Sequence, residues 1–219
     1  AVDKLSENPF LEQPEVFHQQ LDLERIALES EYTGAFVDTV LQVTNGQGIT
    51  SLINNAAVQI LGHCDQITRD DWQQSFNVNL SAPFFLIQAF LEQLTNNQGS
   101  VVNVSSIHAT QTKQNFLTYA STKGALSSFT RNLAVDLRDK IRVNAIEPAA
   151  VATEMLKAGF EGHPEKYSKL EQFHPIARIA TPAEVAELAL FLCSEKAGFI
   201  HGACISSSGG IQGSLSDPD

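Results

Sequence analysis

The feature that most restricts the fold is an alternation. Short apolar runs, "ITSLINNAA" (49–57), "SVVNVSS" (100–106), "IRVNAIEP" (141–148) and "GACISSSGG" (202–210), are separated by long stretches of helical periodicity. Strands that recur with helices between them form a parallel sheet with helices on both faces, because a parallel pair needs a long crossover and both sheet faces must be buried. The pattern predicts a doubly wound α/β sheet, a Rossmann-like three-layer sandwich. "PEVFHQQLDL" (14–23) reads as a strand entering a loop, and residues 24–44 as a helix. Residues 68–94 read as one long helix opened by Thr68 and Asp71, and 116–138 as a second. Thr181, Pro182 and Glu184 mark another helix start, while 152–178 reads as a looser segment and the tail from Ser206 as a mobile terminus.

With 219 residues and 43% hydrophobic content the chain has material for a single domain and a substantial core. A net charge of -11 opposes binding to phosphate backbones or anionic lipid, so no nucleic acid and no membrane partner is expected. No apolar run approaches the ~20 residues of a membrane span, and the chain is expected to be soluble and cytoplasmic. Cys64, Cys193 and Cys204 lack C-x-x-C spacing and read as reduced, buried thiols. The histidines show neither H-x-x-x-H nor H-E-x-x-H spacing, so no metal site is indicated.

A doubly wound sheet binds ligands outside the carboxyl ends of its strands, which draws attention to "NNAA", "SSIHAT" and "EPAAVAT". Beside them "LTYASTKGAL" places Tyr119 and Lys123 four residues apart, on one helical face. An exposed pair of this kind adds only a few tenths of a kcal/mol to a helix. As a proton-transfer device it asks more. A phenol with pKa near 10 must be lowered by about three units, roughly 4 kcal/mol, to work near neutrality. One unit charge about 4 Å away supplies on the order of that at an effective dielectric near 20.

"YASTK" after the strand "VVNVSS", with Ser106 thirteen residues before the tyrosine, resembles the short-chain dehydrogenase/reductase superfamily. "LINNAA", "NVNL" and "RVNAIEPAAVATEM" resemble further motifs of that family, so the likeness covers most of the chain. The resemblance implies hydride transfer between NAD(P) and an alcohol or carbonyl. Tyr119 would exchange a proton with the substrate oxygen, Lys123 would lower its pKa and bind the nicotinamide ribose, and Ser106 would hydrogen-bond the reacting oxygen. Physics alone does not separate Ser106 from Ser105; the family spacing does. Asn79 has an argument of its own: Pro83 has no N–H, so the Asn79 carbonyl loses its i+4 donor and is free to hold a water, and the resemblance implies that such a water relays protons to Lys123. The alternative is a helix kink without a catalytic part.

The resemblance also implies cofactor contacts from Asn54, Ala56, Pro148, Val151 and Thr153, with Ala57 and Ala149 standing where the family usually has glycine. Asp22, with Leu23, resembles the carboxylate that meets the adenine amino group; a helix N-cap is the competing reading. No glycine-rich phosphate turn precedes Asp22, and the resemblance implies that the chain enters the family pattern at the end of its second strand, so the first strand and glycine-rich loop are expected to be missing from this sequence. Asp3 then resembles the acidic residue that binds the adenosine ribose and repels a 2′-phosphate, favouring NAD over NADP. His108 and Gln114, facing the variable segment 154–178, are the substrate candidates. A small polyol, sugar or hydroxy-acid is expected, with homotetramer or homodimer assembly implied by resemblance. Two alternatives stand beside this reading: a noncatalytic dinucleotide sensor or scaffold of the same fold, and oxidation of a cyclic dihydrodiol.

Overall fold

A computed structural model describes residues 16–215 and the backbone of residues 2–3. The central sheet is four parallel strands in the order β3 (Ser51–Asn54), β4 (Ser100–Val104), β5 (Arg142–Pro148) and β6 (Cys204–Ser207). A two-stranded parallel sheet pairs β1 (Val2–Asp3) with β2 (Gln19–Gln20). Among the described residues no strand joins the two sheets. Of the strand read over 14–23, residues 14 and 15 lie outside the described residues and only Gln19–Gln20 pairs.

Alternation along β4 sorts its side chains into two cores, since successive strand residues point to opposite faces. Val101 joins Val143, Leu86, Phe90 and Leu94 on one face. Val102 joins Ile146, Ala189 and Leu192 on the other, beneath α9 (Pro182–Cys193). Burying an aliphatic side chain of this kind contributes about 1.5–3 kcal/mol, so the two clusters hold three layers together. Polar strand residues inside the sheet are paired: Asn54 donates to Asn103 at 2.8 Å, and Asn103 donates to Thr130 at 2.9 Å.

The helices depart from the sequence reading in three places. The 24–44 helix is two, α1 (Leu23–Leu28) and α2 (Ser30–Val43), separated at an extended Glu29. The single helix read over 68–94 is α3 (Arg69–Phe76), a π turn (Asn77–Ser81), α4 (Ala82–Ala89) and α5 (Leu91–Asn96). The proline supplies the reason for the first interruption: with no N–H at Pro83, the coil widens so that Ala82 N–H reaches the Asn77 carbonyl, five residues back. The loose segment 152–178 holds α7 (Glu154–Ala158) and α8 (Pro164–Phe173). α6 (Leu117–Leu137) forms as read, and Thr68 and Thr181 both close capping boxes, with Asp71 and Glu184.

The tail is more ordered than its composition suggests. Ser206 and Ser207 belong to β6, and a short turn at Ile211–Gly213 follows. There Gln212 accepts from Gln111 at 2.7 Å and donates to Thr110 at 3.1 Å. The three thiols are free, but Cys64 is exposed in the turn after β3 and the other two are half-buried, which corrects the expectation of buried cysteines.

Candidate active site

The parallel sheet brings the carboxyl ends of β3, β4 and β5 to one edge, and helix α6 runs back from that edge. Ser105 and Ser106 follow β4 directly, both buried. Tyr119 and Lys123 occupy the first two turns of α6, and Lys123 is 2% exposed. Its Nζ donates to the Val104 carbonyl at 2.7 Å and lies 5.6 Å from the Tyr119 ring centroid. Ser106 caps the short turn Ile107–Ala109, its Oγ accepting from His108 N–H at 3.2 Å. Ser105 instead donates to the Lys123 carbonyl at 2.9 Å, so the two serines have distinct places.

Electrostatics at this edge are set by burial. Desolvation lowers Lys123 from 10.5 to about 8. It pushes the Tyr119 phenol up, and the neighbouring Ser106 hydroxyl pulls the other way. The expectation that Lys123 holds Tyr119 well below its ordinary value is therefore corrected for the chain's own groups. Burial penalises both charges, and the ammonium is engaged with the Val104 carbonyl. Burial first, then Lys113, lowers His108 to about 4, so its ring is neutral in ordinary conditions.

Asn79 is 1% exposed within the π turn. Its Oδ1 accepts from Val58 N–H at 2.8 Å, and its Nδ2 donates to the Val58 carbonyl at 2.9 Å and to Thr122 Oγ1 at 3.0 Å. The side chain thus fastens the segment after β3 to α6, next to Lys123. Thr118 repeats the device one turn earlier by donating to the Ile60 carbonyl at 2.7 Å.

His108 stacks on Phe116 with centroids 4.4 Å apart and meets Tyr119 edge-on at 5.8 Å. Lys113 Nζ sits 4.6 Å over the Phe116 ring. Gln114 is exposed in the same loop. Phe116, Thr122 and the Val104 carbonyl are site parts that residue-type reasoning passed over. The available signal was position: Phe116 precedes Tyr119 by three, and Thr122 follows it by three, both neighbours on a helical surface.

Asn54 ends β3, buried, while Ala56 is exposed just beyond it. Pro148 ends β5; Val151 bridges to Ala180, and Thr153 is exposed. Ala57 and Ala149 keep negative φ, so the alanines meet no left-handed strain where glycine was expected. Asp22 caps α1, its carboxylate accepting from Glu24 N–H at 3.0 Å while its own N–H reaches Tyr32 Oη. Leu23 opens that helix. The Asp3 side chain lies outside the described residues.

For a nicotinamide dinucleotide the donor set fits the nicotinamide end. Lys123 spends one of three ammonium donors on Val104, Tyr119 and Ser106 flank it, and Asn54, Pro148, Val151 and Thr153 lie at or just beyond the strand ends. Among the described residues no group of three His, Cys, Asp or Glu side chains is placed to hold a metal, and no helix is long and apolar enough to cross a membrane.

These features agree with what the chain is similar to. Residues 28–212 match the family described as enoyl-(acyl carrier protein) reductase. Cyclopentanol dehydrogenase from a Comamonas species is 33% identical over 184 residues, 83% of this chain and 72% of that protein. Ligand-free aldohexose dehydrogenase from Thermoplasma acidophilum superposes with a TM-score of 0.89 at 25% identity, covering 100% of this chain and 86% of the other. A gluconate 5-dehydrogenase from Burkholderia cenocepacia, in complex with NADP and tartrate, gives 0.80 at 26% identity over 90% of this chain and 76% of its own. The fold and the match along most of the sequence define a doubly wound oxidoreductase class. The chain belongs to the short-chain dehydrogenase/reductase superfamily.

Proposed function

We propose that this chain carries the proton-transfer centre of a dehydrogenase that interconverts a secondary alcohol and a ketone with NAD. The observation that carries the reading is a lysine buried to 2% exposure, one helical turn from a half-buried tyrosine, beside a buried serine just after a central parallel strand. An ammonium buried this deeply costs stability even with its hydrogen bond to the Val104 carbonyl.

When bound, the nicotinamide accepts or supplies the hydride. In alcohol oxidation Tyr119 takes the hydroxyl proton as general base. Ser106 donates a hydrogen bond to the same oxygen and steadies it as charge changes. Lys123, with a pKa near 8, carries positive charge through the working range and favours the phenolate. Asn79 holds the segment after β3 in place, and its carbonyl, lacking a donor at Pro83, holds the water through which Lys123 exchanges protons with solvent. Asn54, Ala56, Pro148, Val151 and Thr153 line the cofactor; Asp22 with Leu23 faces the adenine. Discrimination of NAD from NADP falls to Asp3, whose side chain lies outside the described residues.

The substrate lies against His108 and Phe116, with Gln114 at the rim and segment 154–178 opposite. A neutral imidazole on an aromatic wall suits a small uncharged ring or polyol better than an anion. The named relatives support a cyclic or sugar-like alcohol. The protein assembles as a homotetramer or homodimer through exposed apolar side chains such as Trp72, Phe84 and Leu117 on α3, α4 and α6.

Fluorescence titration with NADH, then a panel of secondary alcohols with NAD read at the nicotinamide absorbance, tests the reading on the full-length protein. Tyr119→Phe is expected to abolish turnover and leave NADH binding within about twofold, since the loss falls on a group used in the transition state. NADH binding with no turnover of any alcohol would favour a sensor or scaffold instead.

A further inference from the structure

Among the described residues Glu147 is the one acidic side chain that is buried, at 4% exposure near the end of β5. No ion pair among the described residues accounts for it. Its Oε1 accepts from Ser127 Oγ at 2.7 Å. Ser127 Oγ lies 2.8 Å from Ser105 Oγ, and Ser105 donates to the Lys123 carbonyl at 2.9 Å. Lys123 Nζ in turn donates to Val104, the residue before Ser105. The end of β4 therefore grips Lys123 twice, once at its carbonyl and once at its ammonium; Ser127 gives its one proton to Glu147, so the Ser105 proton is shared between the Lys123 carbonyl and Ser127 Oγ, and this ties the carbonyl grip to a carboxylate on the next strand.

A buried carboxylate is costly unless its hydrogen bonds serve something, and an apolar residue would fill the same space more cheaply. Half-buried Cys204 on β6 is the other ionisable group that feels this charge. Burial chiefly raises its thiol, Glu147 adds to the rise, and Arg131 opposes it. Cys204 Sγ also donates to the Ser127 backbone carbonyl at 3.5 Å, but the Ser127 hydroxyl is turned to Glu147 and Ser105.

We propose that Glu147 is a positioning residue, acting through Ser127 and Ser105 to fix the turn of α6 that presents Tyr119 and Lys123. This rests on the assignment of Lys123 to proton exchange given above. A misplacement of about 1 Å at a reacting group can cost on the order of a hundredfold in rate, so a three-link clamp behind the helix has a kinetic consequence.

The test separates the link from the charge, in the full-length protein with carbon-13-labelled lysine followed by NMR. Ser127→Ala removes the link and keeps the carboxylate; Glu147→Gln removes the charge and keeps an acceptor for Ser127. In Ser127→Ala the Lys123 titration is expected to move from about 8 toward 10.5 as water reaches the loosened turn. Its kcat is expected to fall about tenfold with KM within about twofold. Glu147→Gln is expected to keep the wild-type titration. If Ser127→Ala does not fold, Ser105→Ala breaks the same chain and is read the same way. A wild-type titration in Ser127→Ala or Ser105→Ala, or a shift in Glu147→Gln alone, overturns the proposal. Should the wild type turn over no alcohol, the functional reading fails, while the titration still decides the clamp.

Discussion

At Lys123 burial lowers the ammonium pKa from 10.5 to about 8, so below that pH the folded chain holds a charge that water would solvate better. Between about pH 8 and 10.5 the unfolded chain binds the proton and the folded chain does not. Unfolding takes up a proton there, and this group makes stability rise with pH through the window. The shift corresponds to about 3 kcal/mol. Chemical denaturation at several pH values should show wild type gaining on Lys123→Met by about that amount across the window, then levelling off. A difference that stays flat would mean the lysine is not desolvated. The residue types at the site were legible in the sequence because Tyr119, Lys123 and Ser106 sit at fixed offsets around one strand end. The environment was not. Thr118, Thr122, Ser127 and Thr130 are all buried on α6, which the sequence pattern marked only as a helix. Thr122 and Thr130 satisfy their hydroxyls on the helix itself, at the Tyr119 and Leu126 carbonyls, whereas Thr118 and Ser127 need Ile60 and Glu147 from elsewhere in the fold.

The helices that frame the site are set by local chemistry where their ends are concerned. Thr181, Pro182 and Glu184 announced α9, and the box forms because its two bonds involve only residues three apart. The interruption at Asn77–Ser81 was half legible. Pro83 told that a donor was missing, but whether the coil kinks or widens depends on packing, and here Val78, Ala82 and Leu86 are all held in the core. A tighter constraint lies where α5 turns into β4. A side chain on Gly99 would come within 2.6 Å of the Thr50 carbonyl and 3.0 Å of the Leu94 carbonyl. Both obstacles are backbone and cannot swing aside. Gly99→Ala is expected to destabilise the fold by about 1–3 kcal/mol, seen as a lower denaturation midpoint, because it overpacks this crossing. An unchanged midpoint would show that the β3–β4 end has room to relax.

For the whole molecule, a parallel sheet covered by helices followed from the strand-helix alternation, while the order β3-β4-β5-β6 comes from the structure. The sequence pattern did not show how α7 and α8 pack, because their residues are mostly exposed and carry no strong apolar stripe. Apolar surface remains large: Phe199 is 103% exposed and Val135 77%. Isolated exposed apolar residues are ordinary, but Trp72, Phe84 and Leu117 add to them on the helices flanking the site. Light scattering on the purified full-length protein should give the mass of two or four protomers, and a monomer at working concentration would refute the assembly. The account depends most on one coupling, between the Lys123 ammonium and the Tyr119 phenol when the cofactor is present. Phenolate absorbance, taken as the difference between wild type and Tyr119→Phe with NAD bound, measures it directly. The account predicts that Tyr119 ionises well below its ordinary value in wild type and that Lys123→Met moves the transition back up; the same titration in both proteins would contradict it.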